Sequence, residues 1–133
     1  MSRYPLSRKP PVVAIAVGVG LLHFLTGPEY SGPFPAFVNG YMIDIVLPFA
    51  LYLVLGVTNY PALRSKIARC ALVFGIGAAT ETLQYLGVPI FGRTFDPLDY
   101  LMFCLGTCAA AIFEWGVLSK IPGKSPTQPS NCA

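Results

Sequence analysis

Charged residues are scarce in this chain of 133 residues: Asp, Glu, Lys and Arg together make up 11% of it, and there is one histidine. In an average soluble domain these four types account for about a quarter of the residues, because charged side chains cover the surface. The hydrophobic fraction here is 54%, and the mean hydropathy is +0.61. This composition argues against an ordinary soluble domain and predicts an integral membrane protein.

The chain also lacks the short motifs of several enzyme classes. It contains no Walker A loop, no zinc-protease His-Glu-x-x-His and no Gly-x-Ser-x-Gly elbow, so ATP-driven work and serine hydrolysis have no support. A haem bound by His23 would need its second axial ligand from elsewhere, and we expect no cofactor. No His or acid stands beside Cys104 and Cys108, so we expect reduced, packed thiols and no metal site.

Four apolar segments approach or reach the roughly 20 residues that a helix needs to cross the hydrocarbon core of a membrane. They cover residues 11–26, 37–57, 67–86 and 98–118. Short polar or Pro/Gly-rich connections separate them, which favours antiparallel neighbours. The fold class that we predict is an all-α membrane protein with four transmembrane helices in a compact antiparallel bundle.

The flanking regions complete this domain organisation. The first apolar segment has a basic start, but no small-x-small cleavage site precedes the Gly27-Pro28 turn, so we expect an uncleaved anchor. Residues 1–10 are then an N-terminal segment, and residues 11–119 form the membrane domain. Residues 120–133 are a Pro/Ser-rich tail that cannot bury enough apolar surface to fold alone.

Basic residues predict the orientation of the bundle. Eight of the nine precede the first segment, connect the second to the third or follow the fourth: Arg3, Arg8, Lys9, Arg64, Lys66, Arg69, Lys120 and Lys124. With four spans these three regions share one side, and the positive-inside rule makes that side cytoplasmic. Both termini should therefore be cytoplasmic. The net charge of +3 is a topology signal and gives no reason to expect nucleic acid binding.

The acidic residues fall near the opposite, outer side. Acids within or beside membrane spans are costly unless they meet a partner or a polar interior. In the predicted topology one bundle end gathers several polar side chains into an outward-facing pocket. We expect this pocket to contain His23, Asp44, Glu81, Gln84, Arg93 and Asp99.

Spacing within the segments adds detail to this prediction. Glu81 and Gln84 share a helix face with Gly77 beneath them, and Gly106-x-x-x-Ala110 is a small-xxx-small pattern that allows close helix contact. We expect the third and fourth segments to pack together through these residues. Pro48 has no N–H to donate to the carbonyl of Asp44, which predicts a kink or a bound donor there.

At these residues the chain resembles the VanZ-like small membrane proteins. The family's Glu-x-x-Gln helix end, Gly-Arg-Thr and following Asp are matched by Glu81-Thr-Leu-Gln84, Gly92-Arg93-Thr94 and Asp99, with Gly106 at its downstream glycine. Residues 44–52 look like its Asp-x-x-x-His-x-x-x-Tyr segment. Two positions depart from the family: Pro48 stands where it usually has His, and Phe103 stands where it has Asn.

The resemblance implies a multi-pass protein of the bacterial cytoplasmic membrane. The main hypothesis is a non-catalytic protein whose outer pocket binds a lipid headgroup or an envelope precursor, with Arg93 pairing a phosphate or carboxylate. One alternative is an accessory or structural subunit of a larger membrane complex, with other subunits as partners besides lipids. A second is an enzyme that acts on a lipid-linked substrate through Glu81 and Asp99. The missing His and Asn favour the two non-catalytic hypotheses.

Each polar residue also has a purely structural interpretation. Arg93 can form a loop ion pair with Asp96 or Asp99, and Glu81 with Gln84 can be an interhelical hydrogen-bond clamp. Asp99 is an acid of the kind favoured at a helix N-terminus. Glu114 lies near the inner end of the fourth segment, where it can pair with a basic residue, and we interpret it as structural.

Overall fold

The structure is a computed structural model that describes residues 8–26, 30–88 and 96–122. These ranges form helices and turns without a β-strand, which confirms the predicted all-α class. The helices are α1 (Lys9–Leu25), α2 (Pro35–Val57), α3 (Lys66–Tyr85) and α4 (Pro97–Gly116). The predicted tail largely falls on residues 123–133, which lie outside the described residues, as does Arg93.

Local sequence signals account for where α3 and α4 begin. Ser65 caps α3, since its Oγ accepts a hydrogen bond from the N–H of Ala68 at 3.4 Å. Asp96 caps α4 in the same way, with Oδ1 accepting from the N–H of Leu98 at 2.9 Å. Pro97 follows at the first helical position, where its missing N–H has no cost. Such caps satisfy backbone donors that have no partner within a helix.

Helix α2 is irregular at its beginning. Phe34 precedes it in the left-handed region with φ 54°, and the first α-helical turn is followed by a π-helical turn at Val38–Met42. Regular α-helix resumes at Ile43 and continues past Pro48 to Val57. A π-turn inserts an extra residue into a helix and is frequent at functional sites. Here it ends two residues before Asp44.

Hydrogen bonds between helices show their directions. Tyr41 and Tyr52 of α2 bond to Asp96 and Glu114 respectively, so α2 and α4 run parallel. Arg69, near the start of α3, bonds to Glu114 near the end of α4, so α3 runs the other way. Each helix is therefore antiparallel to the next in sequence from α2 onwards, and α2 contacts the other three helices.

Helix α1 joins the same arrangement from the side of α2. Its contact with α2 is extensive, and Val12 and Val19 are its buried residues. At its start, Arg8 Nη2 donates a hydrogen bond to the carbonyl of Ser119 at 3.0 Å, just beyond α4. The beginning of α1 thus lies beside the end of α4, and α1 is antiparallel to α2 and α4.

Two helices in the described ranges are long and apolar enough to cross a membrane. They are Pro35–Val57, with a mean hydropathy of 1.9, and Pro97–Lys120, with 1.8. Helix α1 is apolar but shorter, at 17 residues. Helix α3 has 20 residues and carries Lys66, Arg69 and Glu81. By length and composition alone, two of the four helices could cross a membrane, and the bundle of four spans stays a prediction.

A buried ion pair joins α3 to α4 at the end of the bundle where α2 and α4 finish. Arg69 Nη2 lies 3.0 Å from both carboxylate oxygens of Glu114, and the two side chains are 3% and 7% exposed. Tyr52 of α2 donates its O–H to Glu114 at 2.8 Å, and its ring lies 4.6 Å from the Arg69 guanidinium carbon. We call these three residues the buried charge cluster. Glu114 thus pairs with a basic residue, as its structural interpretation from the sequence predicts.

Arg69 differs from its prediction from sequence. The sequence predicts it among the cations that connect the second segment to the third, but it lies inside α3 and is almost fully buried. Val12, Tyr52, Leu53, Val73, Ala110 and Leu118 form the surrounding apolar core. Removing a charge from water costs several kcal/mol unless a partner and hydrogen bonds compensate, so Arg69 and Glu114 depend on one another.

Two glycines allow the helices to approach closely at the middle of the bundle. A Cβ at Gly106 would overlap the carbonyl oxygen of Ile45 and come within 2.8 Å of Pro48 Cγ. A Cβ at Gly77 would overlap the ring of Phe103. Gly77 therefore serves the predicted packing of α3 on α4, whereas Gly106 faces α2 instead. Ala110 is fully buried in the apolar core.

Replacing Gly106 by alanine should destabilise the protein by about 1–3 kcal/mol, because the overlapping atom belongs to backbone that cannot rotate away. The matched control is Gly75→Ala, at an exposed glycine of α3 with nothing within 4 Å of the added Cβ. That variant should gain about 0.5–1 kcal/mol from helix propensity. Thermal unfolding in detergent measures both changes, and equal stability of the two variants would contradict the packing.

Replacing one partner of the buried ion pair should lower the free energy of unfolding more than replacing both partners. Glu114→Leu leaves Arg69 charged and buried, and we expect a loss of about 3–5 kcal/mol in unfolding free energy. The double variant Arg69→Met, Glu114→Leu should recover most of that loss, because no unpaired charge remains. A denaturant titration of the two variants tests this, and a double variant less stable than the single one would refute it.

Candidate functional site

Four carboxyl groups from three helices meet at the other end of the bundle. Asp44 of α2 interacts electrostatically with Glu81 of α3 and Asp99 of α4. Glu81 in turn interacts with Asp99 and with Asp96 at the N-cap of α4. We call Asp44, Glu81, Asp96 and Asp99 the acidic cluster. It contains four of the six acidic residues of the chain.

Glu81 is the most buried member of the acidic cluster, with 3% of its surface exposed. Its carboxylate accepts a hydrogen bond from the backbone N–H of Asp96. Its Oε2 has no hydrogen-bond partner among the described residues, and the buried Oδ1 of Asp99 has none there either. A buried acceptor without a donor costs about 1–3 kcal/mol, so two of them beside each other need an explanation.

Asp96 has a structural role within the cluster. Its Oδ1 caps α4, and its Oδ2 accepts a hydrogen bond from the Tyr41 O–H at 3.0 Å. Both oxygens are thus in use, and Tyr41 links the π-helical turn of α2 to the start of α4. The Asp-Pro pair before an apolar segment is a helix-start signal that identifies the cap from sequence. The Tyr41 contact depends on the irregular turn, which the sequence did not predict.

An apolar layer lies one helical turn inward from the acids. Pro48, Phe103 and Gly77 are each four residues from Asp44, Asp99 and Glu81, on the side towards the middle of the bundle. All three are buried, and the two glycine contacts pack them tightly against neighbouring helices. Pro48 and Phe103 are also the positions that depart from the VanZ-like pattern. The polar groups expected there in the family are replaced by a closed apolar layer.

The structure brings together three residues of the predicted polar pocket: Asp44, Glu81 and Asp99. Gln84 is half-buried one turn further along α3. His23 is exposed on the last turn of α1 and makes no hydrogen bond or ion pair with any described residue. The pairing of His23 with Asp44 is not formed, because the interactions of Asp44 are with α3 and α4. Arg93 is outside the described residues.

The arrangement of the carboxyl groups limits the ligands that they can hold. No three His, Cys, Asp or Glu side chains in the described ranges are placed to hold one metal ion. Asp44 accepts no hydrogen bond from a described residue. Its carboxyl oxygens are therefore additional acceptors beside Glu81 Oε2 and Asp99 Oδ1. Glu81 Oε2, Asp99 Oδ1 and the Asp44 carboxyl group are thus open to a hydrogen-bond donor from outside the described residues.

Comparisons with known proteins identify no relative. No family model, curated protein or solved structure matches the chain.

Tyr41→Phe removes the hydrogen bond between α2 and the cap of α4 while keeping the aromatic ring. We expect a loss of about 0.5–1.5 kcal/mol in the free energy of unfolding, since Asp96 then has an unpaired oxygen. Tyr60→Phe is the matched control, because the Tyr60 side chain is 69% exposed. Chemical denaturation in detergent compares the two variants. A Tyr41→Phe protein as stable as the control would contradict this link.

Proposed function

We propose that this chain is a VanZ-like protein of the bacterial cytoplasmic membrane with four spans and cytoplasmic termini. Its acidic cluster faces outwards and binds a lipid headgroup or an envelope precursor without catalysing a reaction. The single observation that carries this proposal is the pair of buried carboxylate oxygens, Glu81 Oε2 on α3 and Asp99 Oδ1 on α4, that have no donor within the described residues. A protein that only needed these helices to pack would be more stable with apolar residues there.

The surface of the bundle supports four spans. Large apolar side chains are exposed on every helix, among them Val17, Leu21 and Phe24 of α1, Leu47 of α2, Ile67, Phe74 and Ile76 of α3, and Leu101, Leu105 and Ile112 of α4. Water disfavours so continuous an apolar exterior, whereas lipid accommodates it. The end that holds the acidic cluster is opposite the end where Arg8, Lys9, Arg64, Lys66 and Lys120 lie, which agrees with an outward cluster.

The apolar layer supports binding over catalysis. A general acid or base needs polar neighbours that tune it and carry protons to and from it. Pro48 and Phe103 occupy the positions closest to such a role, one turn from Asp44 and Asp99. Neither side chain can donate or accept a proton. The cluster can hold a polar group, but the inner side of the site offers nothing to relay protons.

Arg93 complements the acids in this proposal. It stands three residues before Asp96 in the sequence and is the only basic residue between α3 and α4. An arginine forms strong, directional hydrogen bonds to phosphate or carboxylate groups. We assign it to the anionic part of a headgroup on the basis of the sequence alone.

Lipid retention tests the proposal. Wild-type protein and the variants Glu81→Gln and Arg93→Glu are purified in mild detergent with a bacterial polar lipid extract and analysed by native mass spectrometry. Each variant should retain about 5- to 100-fold less lipid, the equivalent of losing one charged hydrogen bond of about 1–3 kcal/mol.

Arg64→Glu is the matched control for Arg93→Glu, because it makes the same charge change at the opposite end of the bundle. Circular dichroism verifies that the helical content of each variant is unchanged. If Glu81→Gln and Arg93→Glu both retain lipid as the wild type does, headgroup binding at this site is wrong.

A further inference from the structure

The acidic cluster contains more hydrogen-bond acceptors than donors. Asp44, Glu81 Oε2 and Asp99 Oδ1 each lack a donor among the described residues, and each of the three groups interacts electrostatically with the other two. The only side-chain donor to the cluster within those residues is the Tyr41 O–H, and it bonds to Asp96. The free acceptors are therefore gathered around one region between α2, α3 and α4.

The acidic cluster also has no compensating cation within the described residues. The described residues contain one salt bridge, between Arg69 and Glu114, and it lies at the far end of the bundle. Carboxylates held together in a poorly solvated setting repel one another unless a cation or shared protons compensate. Arg93 supplies at most one positive charge against four acids. The cluster is accordingly suited to a cationic ligand.

The number and positions of the acceptors narrow the type of cation. In the described part of the chain no three His, Cys, Asp or Glu side chains are close enough together to hold a metal ion. A primary ammonium group is larger and has three N–H donors and no acceptor. Three donors match the three carboxyl groups that each have at least one oxygen without a donor among the described residues. Quaternary ammonium has the same charge but no N–H, and so leaves every acceptor unpaired.

The apolar layer limits how deep the ligand can reach. Pro48, Phe103 and Gly77 close the cluster towards the middle of the bundle, where the Gly77 and Gly106 contacts leave no room for even a methyl group. Entry is then from the outer end or between the outer turns of the helices. A membrane lipid presents its headgroup at this level while its acyl chains stay beside the apolar helix surfaces.

We infer that the acidic cluster selects the primary ammonium group of a lipid headgroup, as in phosphatidylethanolamine, through Asp44, Glu81 and Asp99. This inference rests on the proposed function and specifies the chemical class of its ligand. It also predicts a selectivity among amine headgroups, which headgroup binding alone does not require. The affinity should increase with the number of N–H donors on the amine. Anionic headgroups without an amine are repelled by the acids.

A methylation series tests this inference at constant ligand charge. Purified protein is offered phosphatidylethanolamine, its N-methyl and N,N-dimethyl derivatives and phosphatidylcholine with the same acyl chains, and bound lipid is counted by native mass spectrometry. We expect retention to fall at each methylation, by about tenfold or more over the series, because each methyl group replaces one N–H. Phosphatidylglycerol should be retained no better than phosphatidylcholine.

The variants assign this preference to the cluster. Glu81→Gln and Asp44→Asn keep the side-chain size, and in each the preference for phosphatidylethanolamine over phosphatidylcholine should fall to about twofold or less. Lys66→Gln, which changes the charge at the other end of the bundle, should keep the full preference. Circular dichroism again verifies folding. A preference that survives in both acid variants would overturn the assignment.

Other outcomes separate this inference from the proposed function. If the wild type retains all four lipids equally and Glu81→Gln lowers them all, headgroup binding stands and ammonium selection is wrong. If no variant changes the retention of any lipid, both are wrong. Glycerophosphoethanolamine carries the same headgroup without acyl chains, and displacement of bound lipid by an equal concentration of it would overturn the assignment to a lipid.

Discussion

The ion pair between Arg69 and Glu114 is the interaction on which the rest of the bundle depends. Together with Tyr52 it fixes α2, α3 and α4 relative to one another at one end. About 18 Å of α3 separates Arg69 from Glu81, and about 22 Å of α4 separates Glu114 from Asp99, at 1.5 Å per residue. Because Arg69 and Glu114 are paired, Glu81 and Asp99 must lie at similar distances along the bundle axis. The acidic cluster is thus a consequence of the register that the ion pair imposes.

The two polar clusters of the bundle differ in charge balance, although each has two buried polar atoms without a partner within the described residues: Arg69 Nε and Nη1 in one, Glu81 Oε2 and Asp99 Oδ1 in the other. In the buried charge cluster, Glu114 receives hydrogen bonds from both Tyr52 and Arg69, and the cation also lies over an aromatic ring. In the acidic cluster, carboxyl groups from three helices interact with one another and no cation of the described residues pairs with them. The apolar layer of Pro48, Phe103 and Gly77 keeps the two apart. This difference in charge balance distinguishes the cluster that joins the helices from the one that we propose binds a ligand.

The sequence could predict the helices and the meeting of Asp44, Glu81 and Asp99, because apolar runs and their order determine which helix ends share a side. It could not show that Arg69 is buried while Arg64 and Lys66 are not, since three nearby cations look alike without the rotation of α3. The Gly106-x-x-x-Ala110 pattern also does not indicate which helix packs against it, and in the structure Gly106 packs against α2. His23 was placed at the right end of the bundle, but its side chain is exposed and does not contact the acids.

The burial of Arg69 also has a consequence for how the chain enters a membrane. In the proposed topology α1 and α2 leave the ribosome first, and α3 follows with Arg69 and Glu81, which makes it the span that hydrocarbon accepts least readily. Tyr52 of α2 can offer its ring to the guanidinium at that stage, but Glu114 lies near the end of α4 and arrives last. Stable insertion of α3 must therefore wait for α4, so the two helices should integrate as a pair rather than one after the other.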